Sequence, residues 1–161
     1  MREPRKAVPE GASALIPRLF CRNPAAEVDF CVETFDAEER VRRPGADGTL
    51  AHALITIGRA MVMIEAEWPE ATNRAPASDG STSVALYLYV ENVDETVNRA
   101  VAHGAKILMA AADQPWGDRI AWFIDPAGHV WTVGTRVEET SGQQRDERLG
   151  TLLDKSKSER T

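Results

Sequence analysis

Cysteine is scarce in this chain. Only Cys21 and Cys31 occur among 161 residues, ten positions apart and with no Cys-x-x-Cys. That excludes a disulfide scaffold and a thiolate zinc site, and fits a reduced, cytoplasmic protein with two small core residues. Long apolar runs are missing too, since no stretch approaches the ~18 residues of a membrane span. The opening residues MREPRKAVPEGAS carry basic side chains with no apolar run behind them, so no secretory signal is expected. Cations are outnumbered: 19 Lys and Arg face 25 Asp and Glu, a formal charge of −6. An extended nucleic-acid surface, which needs clustered Lys and Arg, is thereby excluded. What is present is 43% apolar, ample for a hydrophobic interior in one domain or in two half-size repeats.

The pattern along the chain favours the repeats. Residues 1–12 are polar with two prolines and read as a flexible arm. Residues 15–21 alternate like a half-buried strand, with Pro17 pointing to an edge or a strand start. Asn23-Pro24 is a helix entry, and Val28, Cys31, Val32 and Phe35 recur at helical spacing. Short strands are expected at 38–42, 50–57 and 60–64. After a polar linker at 71–82 the order returns: a strictly alternating strand at 84–90, then a helix capped by Asn92 with Glu95 completing a capping box. Gly104 stops that helix, and strands follow at 106–109, 120–124 and 129–133. Offsetting the chain by 69–70 residues superposes Asn23 on Asn92, Val28 on Val97 and Gly58 on Gly128. The chain therefore reads βαβββ twice, an α+β architecture of two similar sheets about a pseudo-twofold axis.

Particular residues inside that frame resemble a known family. Phe30 and Phe35-Asp36-Ala37, then 47–53 (Asp-Gly-Thr-Leu-Ala-His-Ala), form half of its pattern. Trp116-Gly117-Asp118-Arg119, the run 125–131 (Asp-Pro-Ala-Gly-His-Val-Trp), 89–94 and Gly104-Ala105-Lys106 form the other half. Together they are similar to the glyoxalase/bleomycin-resistance/dioxygenase, or vicinal oxygen chelate, superfamily. The resemblance implies a glyoxalase-like domain over 13–137, with modules 13–70 and 83–137 and a charged tail at 138–161. Within the tail, 145–153 has the pattern of a short amphipathic helix. It further implies eight strands curled into an incomplete barrel, a ligand in the resulting cup, and a homodimer. Asp36 departs from the family's usual glycine after the first helix.

Catalytic branches of the superfamily hold one divalent metal on His, Glu or Gln side chains of four strands. The corresponding positions here are Ile16, Val62, Ala85 and Thr132, which cannot ligate it as a set. Glu65, the nearest carboxylate, is expected beyond the end of its strand. No metal and no other cofactor is therefore expected, and His103 and His129 read as solvated residues. Strand alternation places Arg18, Phe20, His52, Leu54, Tyr87 and Tyr89 toward the cup, and the repeat superposes His52 on Trp122, which turns Trp122 there too; Trp116 and Arg119 lie at the rim. An apolar and aromatic lining with few polar groups suits a small planar or aromatic ligand. The leading expectation is a metal-free binding protein similar to the bleomycin-resistance branch. The alternative is a lyase, isomerase or dioxygenase with a relocated metal, or with His52 as acid/base beside Glu65 or Arg119.

Overall fold

The computed structural model describes residues 7–9, 12–68, 70, 73–77 and 82–158, excepting the side chains of 153–158. Half of the polar linker at 71–82 and most of the N-terminal arm lie outside the described residues.

Each half of the chain opens with a strand leading into a capped helix. Strand β1 (Arg18–Cys21) precedes α1 (Pro24–Phe35), where the Asn23 side chain accepts from the Ala26 amide at 3.2 Å. Pro24 sits in the first turn, where its missing N–H has no partner to lose. The helix ends at Asp36, left-handed at φ 54°, a conformation that favours glycine. Arg99 binds both Asp36 carboxylate oxygens at 2.8 Å, which offsets part of the strain a side chain meets there. Strands β2 (Glu38–Pro44), β3 (Leu50–Ile57) and β4 (Ala60–Ala66) complete the first module.

The second module repeats the order: β5 (Ala85–Tyr89), α2 (Val93–Ala102), β6 (Lys106–Asp113), β7 (Asp118–Ile124) and β8 (Val130–Arg136). Asn92 caps α2 through the Glu95 amide at 3.1 Å. The sheets run β1-β4-β3-β2 and β5-β8-β7-β6, with β1–β4 and β5–β8 parallel and the other pairs antiparallel. This is the doubled βαβββ α+β fold expected from the pattern. The charged C-terminal segment carries a further helix, α3 (Gly142–Ser158). No described helix is long and apolar enough to cross a membrane.

Several strands start or stop a few residues from expectation, as where β2 runs to Pro44 and β6 to Asp113, and three of these differences bear on the site. Strand β4 extends past 64 to Ala66, because Glu65 pairs with His52 on one side and Phe20 on the other. Strand β7 begins at Asp118, and β8 runs on to Arg136 opposite it. A charged residue within a strand is compatible with the ladder when its side chain finds partners, and both Glu65 and Asp118 do.

Helices α1 and α2 pack on each other between the two sheets. From the first sheet Ala53, Ile55, Val62 and Ile64 point inward, and from the second Ala121, Phe123, Trp131 and Val133. All join one core. Phe35 of α1 lies 4.7 Å from Trp131 and 6.3 Å from Phe123, so the first module's helix packs on the second module's sheet. Since both inner faces share this core, strand alternation turns the two outer faces away from each other.

Candidate functional site

The outer face of the first sheet is built by alternate residues of three strands. Strand β1 contributes Arg18 and Phe20, β3 His52, Leu54 and Thr56, and β4 Met61, Met63 and Glu65. One end is apolar and the other is organised by Glu65. Its Oε2 accepts from Arg18 Nε at 2.6 Å, and its Oε1 lies 3.1 Å from His52 Nδ1. Burial alone would raise the Glu65 pKa, but Arg18 and His52 hold it below the ordinary glutamate value. With an ionised Glu65 accepting at Nδ1–H, His52 presents Nε2 away from the carboxylate. The Arg18 guanidinium also lies over the Phe20 ring, 5.0 Å from its centroid.

The outer face of the second sheet is aromatic. Tyr87 and Tyr89 of β5 sit 5.2 Å apart between ring centroids, and Trp122 of β7 shares their face. These side chains are unusually open for large apolar groups: Tyr87 is 49% exposed, Tyr89 58% and Trp122 44%. Both phenols donate to Asp118 Oδ2, at 3.3 Å from Tyr87 and 2.9 Å from Tyr89. Arg136 Nε binds the other oxygen. Burial would push Asp118 upward, yet Arg136 and the two phenols keep it ionised, below the ordinary aspartate value. Burial first, then Tyr89 and Asp118, raises the Tyr87 phenol, so it remains a donor. Gly134 makes this possible: a Cβ there would lie 2.7 Å from the Tyr87 hydroxyl, so the ring lies directly over bare backbone.

The candidate residues thus form two groups and not one. Arg18, Phe20, His52 and Leu54 share one outer face, and Tyr87, Tyr89 and Trp122 share the other. Trp116 is half-buried in the turn before β7, where its carbonyl accepts from Thr140 Oγ1 at 2.9 Å. Arg119 departs from expectation: it binds Asp94 in the first turn of α2 and Asp113 on β6, turned from the outer face. His129 is not solvated either, since its Nε2 lies 3.6 Å from the buried Cys21 Sγ and burial lowers its pKa. Sequence reasoning passed over Asp118 and Arg136 because it ended both strands short, so their parity with Trp122 and Thr132 went unused.

Residues 14–133 match the family model of the Glyoxalase/Bleomycin resistance protein/Dioxygenase superfamily. The chain belongs to that superfamily. An uncharacterized Mycobacterium tuberculosis H37Rv protein, Rv0887c, is 40% identical over 131 residues, 80% of this chain and 77% of that one. The crystal structure of TioX from Micromonospora sp. ML1 is similar at 29% identity and TM-score 0.60, covering 80% of this chain and all of that one. The fosfomycin resistance protein FosX of Listeria monocytogenes shares the fold, at 15% identity and TM-score 0.58, over 83% of this chain and 98% of that one.

The metal that many superfamily members hold can be tested on the donor set. Register corrects one of the four positions. Arg18 pairs with Met63 as Tyr87 pairs with Thr132, so Met63 stands where Thr132 does and Val62 points into the core. The same register sets Leu54, and not His52, opposite the position of Trp122. Ile16, Met63, Ala85 and Thr132 offer no carboxylate or imidazole. Glu65 and His52 lie nearby but bind each other and Arg18. Among the described residues no group of three or more His, Cys, Asp or Glu side chains is arranged to hold a metal ion. These residues do not fit the superfamily's metal.

Proposed function

We propose that this protein binds a small planar or aromatic molecule without a metal, in a cup assembled between two copies of the chain. The observation that carries this reading is the pair of outward sheet faces, one aromatic and one with a Glu65-centred polar end. Each is half of a superfamily cup, and both are solvent-facing on opposite sides of one core. Placing the first face of one copy over the second face of another would enclose a ligand between Phe20, Leu54 and Met63 on one wall and Tyr87, Tyr89 and Trp122 on the other. Burying such aromatic area supplies most of the affinity, and the few polar groups set orientation. A homodimer follows, with two equivalent cups related by its twofold axis.

Two measurements test the reading. Protein purified without chelator should carry well under one metal per cup; stoichiometric zinc, nickel, iron or manganese would contradict the metal-free site. A planar aromatic probe such as 2-naphthol should bind, and Tyr89→Ala with Trp122→Ala should weaken it at least about tenfold, the loss expected from removing two aromatic contacts. Unchanged affinity in that variant would contradict the proposed cup.

The His52–Glu65 contact favours a second reading, in which His52 Nε2 acts as a general base on a carbon acid. Solvent deuterium incorporation into 2-hydroxyacetophenone, lost in His52→Ala, would support it. Incorporation no faster than in buffer would remove it.

A further inference from the structure

The polar end of the first outer face carries an uneven charge balance that points to the ligand's chemistry. Glu65 uses only the Nε of Arg18. The Nη1–Nη2 edge, the side of the fork suited to a carboxylate, has no acid partner among the described residues. The Arg18 side chain is about half exposed. Arg43 of β2 lies directly across from His52 in the antiparallel register, on the same face, and it too has no acid partner among the described residues. The other acids nearby are engaged elsewhere: Glu67 accepts from the Ala75 amide at 2.9 Å, and Glu38 pairs with Arg40 at the far end of β2. So two guanidinium groups stand beside one carboxylate, with His52 between Glu65 and Arg43 in the register, at the edge of an apolar strip formed by Phe20, Leu54, Met61 and Met63. At physiological ionic strength the chain's net −6 is screened beyond ~8 Å, and this local excess of positive charge governs what docks.

We propose that this end of the face is a carboxylate seat, so that the ligand is an anionic planar molecule: an aromatic or conjugated carboxylic acid. The inference rests on the cup reading above and adds the sign of the ligand's charge. The ligand carboxylate takes the free edge of Arg18 bidentately. Arg43 adds a favourable field, and the ring system lies along Phe20 and the two methionines. Glu65 acts as a positioning residue: it fixes the planes of Arg18 and His52 and touches no ligand atom.

Isothermal titration of 2-naphthoate, 2-naphthamide and 2-naphthylmethylammonium against the full chain tests this. Naphthoate is expected to bind at least about tenfold more tightly than the amide, the scale of a charge-assisted hydrogen-bond pair, and more tightly still than the ammonium. Arg18→Met should reduce the naphthoate-to-amide ratio to about one to three while leaving amide binding in place. Because Arg18→Met strands Glu65, the double variant Arg18→Met/Glu65→Gln, which removes both charges, should give the same ratio. Arg43→Gln should weaken naphthoate about threefold and flatten its salt dependence. If the amide or ammonium equals naphthoate, or both Arg18 variants keep the wild-type ratio, the carboxylate seat is wrong while the cup stands. If none of the three probes binds, the cup reading falls with it.

Discussion

Glu27 is a carboxyl group 1% exposed in the first turn of α1. Its Oε1 accepts from the Cys31 thiol at 3.6 Å, its Oε2 has no ordinary donor, and Asp125 lies beside it. Burial first, and then the charge of Asp125, raises its pKa well above the usual glutamate range. Burial thus favours the protonated form of Glu27 in the folded protein, while the neighbouring Asp125 holds Trp131 Nε1 at 2.8 Å. In the unfolded chain the same group ionises at the ordinary value. Unfolding between the two values releases a proton, so the group's contribution is fully present at acid pH and falls as pH rises. Glu27→Gln keeps a donor and an acceptor without the titration. Its stability relative to wild type should improve by up to about 1.4 kcal/mol per pH unit above the glutamate range. Denaturant melts at pH 5, 6 and 7 measure this, and parallel curves for the two proteins would contradict it. A second residue-scale test concerns Gly134. Gly134→Ala would press on the Tyr87 hydroxyl at 2.7 Å, lifting the ring and weakening aromatic-ligand binding several-fold at a stability cost of about 1–2 kcal/mol. Unaltered binding would show that the seat of Tyr87 is immaterial.

At the scale of elements, the turn before β7 is tied to the chain that leads into α3. Val137 and Glu138 amides both donate to the Gly117 carbonyl, at 2.9 and 3.0 Å, and Arg148 of α3 binds Glu138 at 2.7 Å. Gly117 has φ 90°, and a Cβ there would lie 2.2 Å from the Glu138 carbonyl oxygen. Gly117→Ala should cost about 2–4 kcal/mol, from left-handed strain together with that clash. Alternatively the strain is relieved by release of the 137–141 segment, seen as lost hydrogen-exchange protection at Val137 and Glu138. Wild-type melting together with wild-type protection would contradict this account of the turn. The element pattern itself was legible before any coordinates. Asn23-Pro24 and the Asn92–Glu95 box mark helix starts by local chemistry, and the alternation in β3 and β5 carries their inner and outer faces. Strand ends were not legible, because a Glu or Asp at a strand terminus reads as solvated until its partner is known. Glu65 finds Arg18, which is 47 residues away in sequence, and Asp118 finds Arg136 and two tyrosines. The one-residue drift in the repeat has a similar cause: the β3–β4 turn is two residues long and the β7–β8 turn is longer, which moved the apparent equivalents of Thr132 and Trp122 by one or two positions.

The whole molecule is two sheets back to back over paired helices, so residues that strand parity assigned to one cup lie on opposite surfaces. Parity is a property of a single strand and says nothing about which sheet faces which, and for that reason the sequence grouped Arg18 with Tyr87. Assembly is the proposed means of bringing them together. In solution the protein should have twice the 17.7 kDa mass of the chain, and its cups should be shared between copies. The most direct test of that claim mixes two proteins each weakened for 2-naphthoate, one with Arg18→Met and Leu54→Ala on the first face and one with Tyr89→Ala and Trp122→Ala on the second. After subunit exchange, half of the dimers contain one chain of each kind. Each such dimer has one cup with both walls intact, so titration with the aromatic probe should recover about a quarter of the wild-type sites at wild-type affinity. Recovery of no sites, with exchange verified by native mass spectrometry, would contradict a cup shared between two copies.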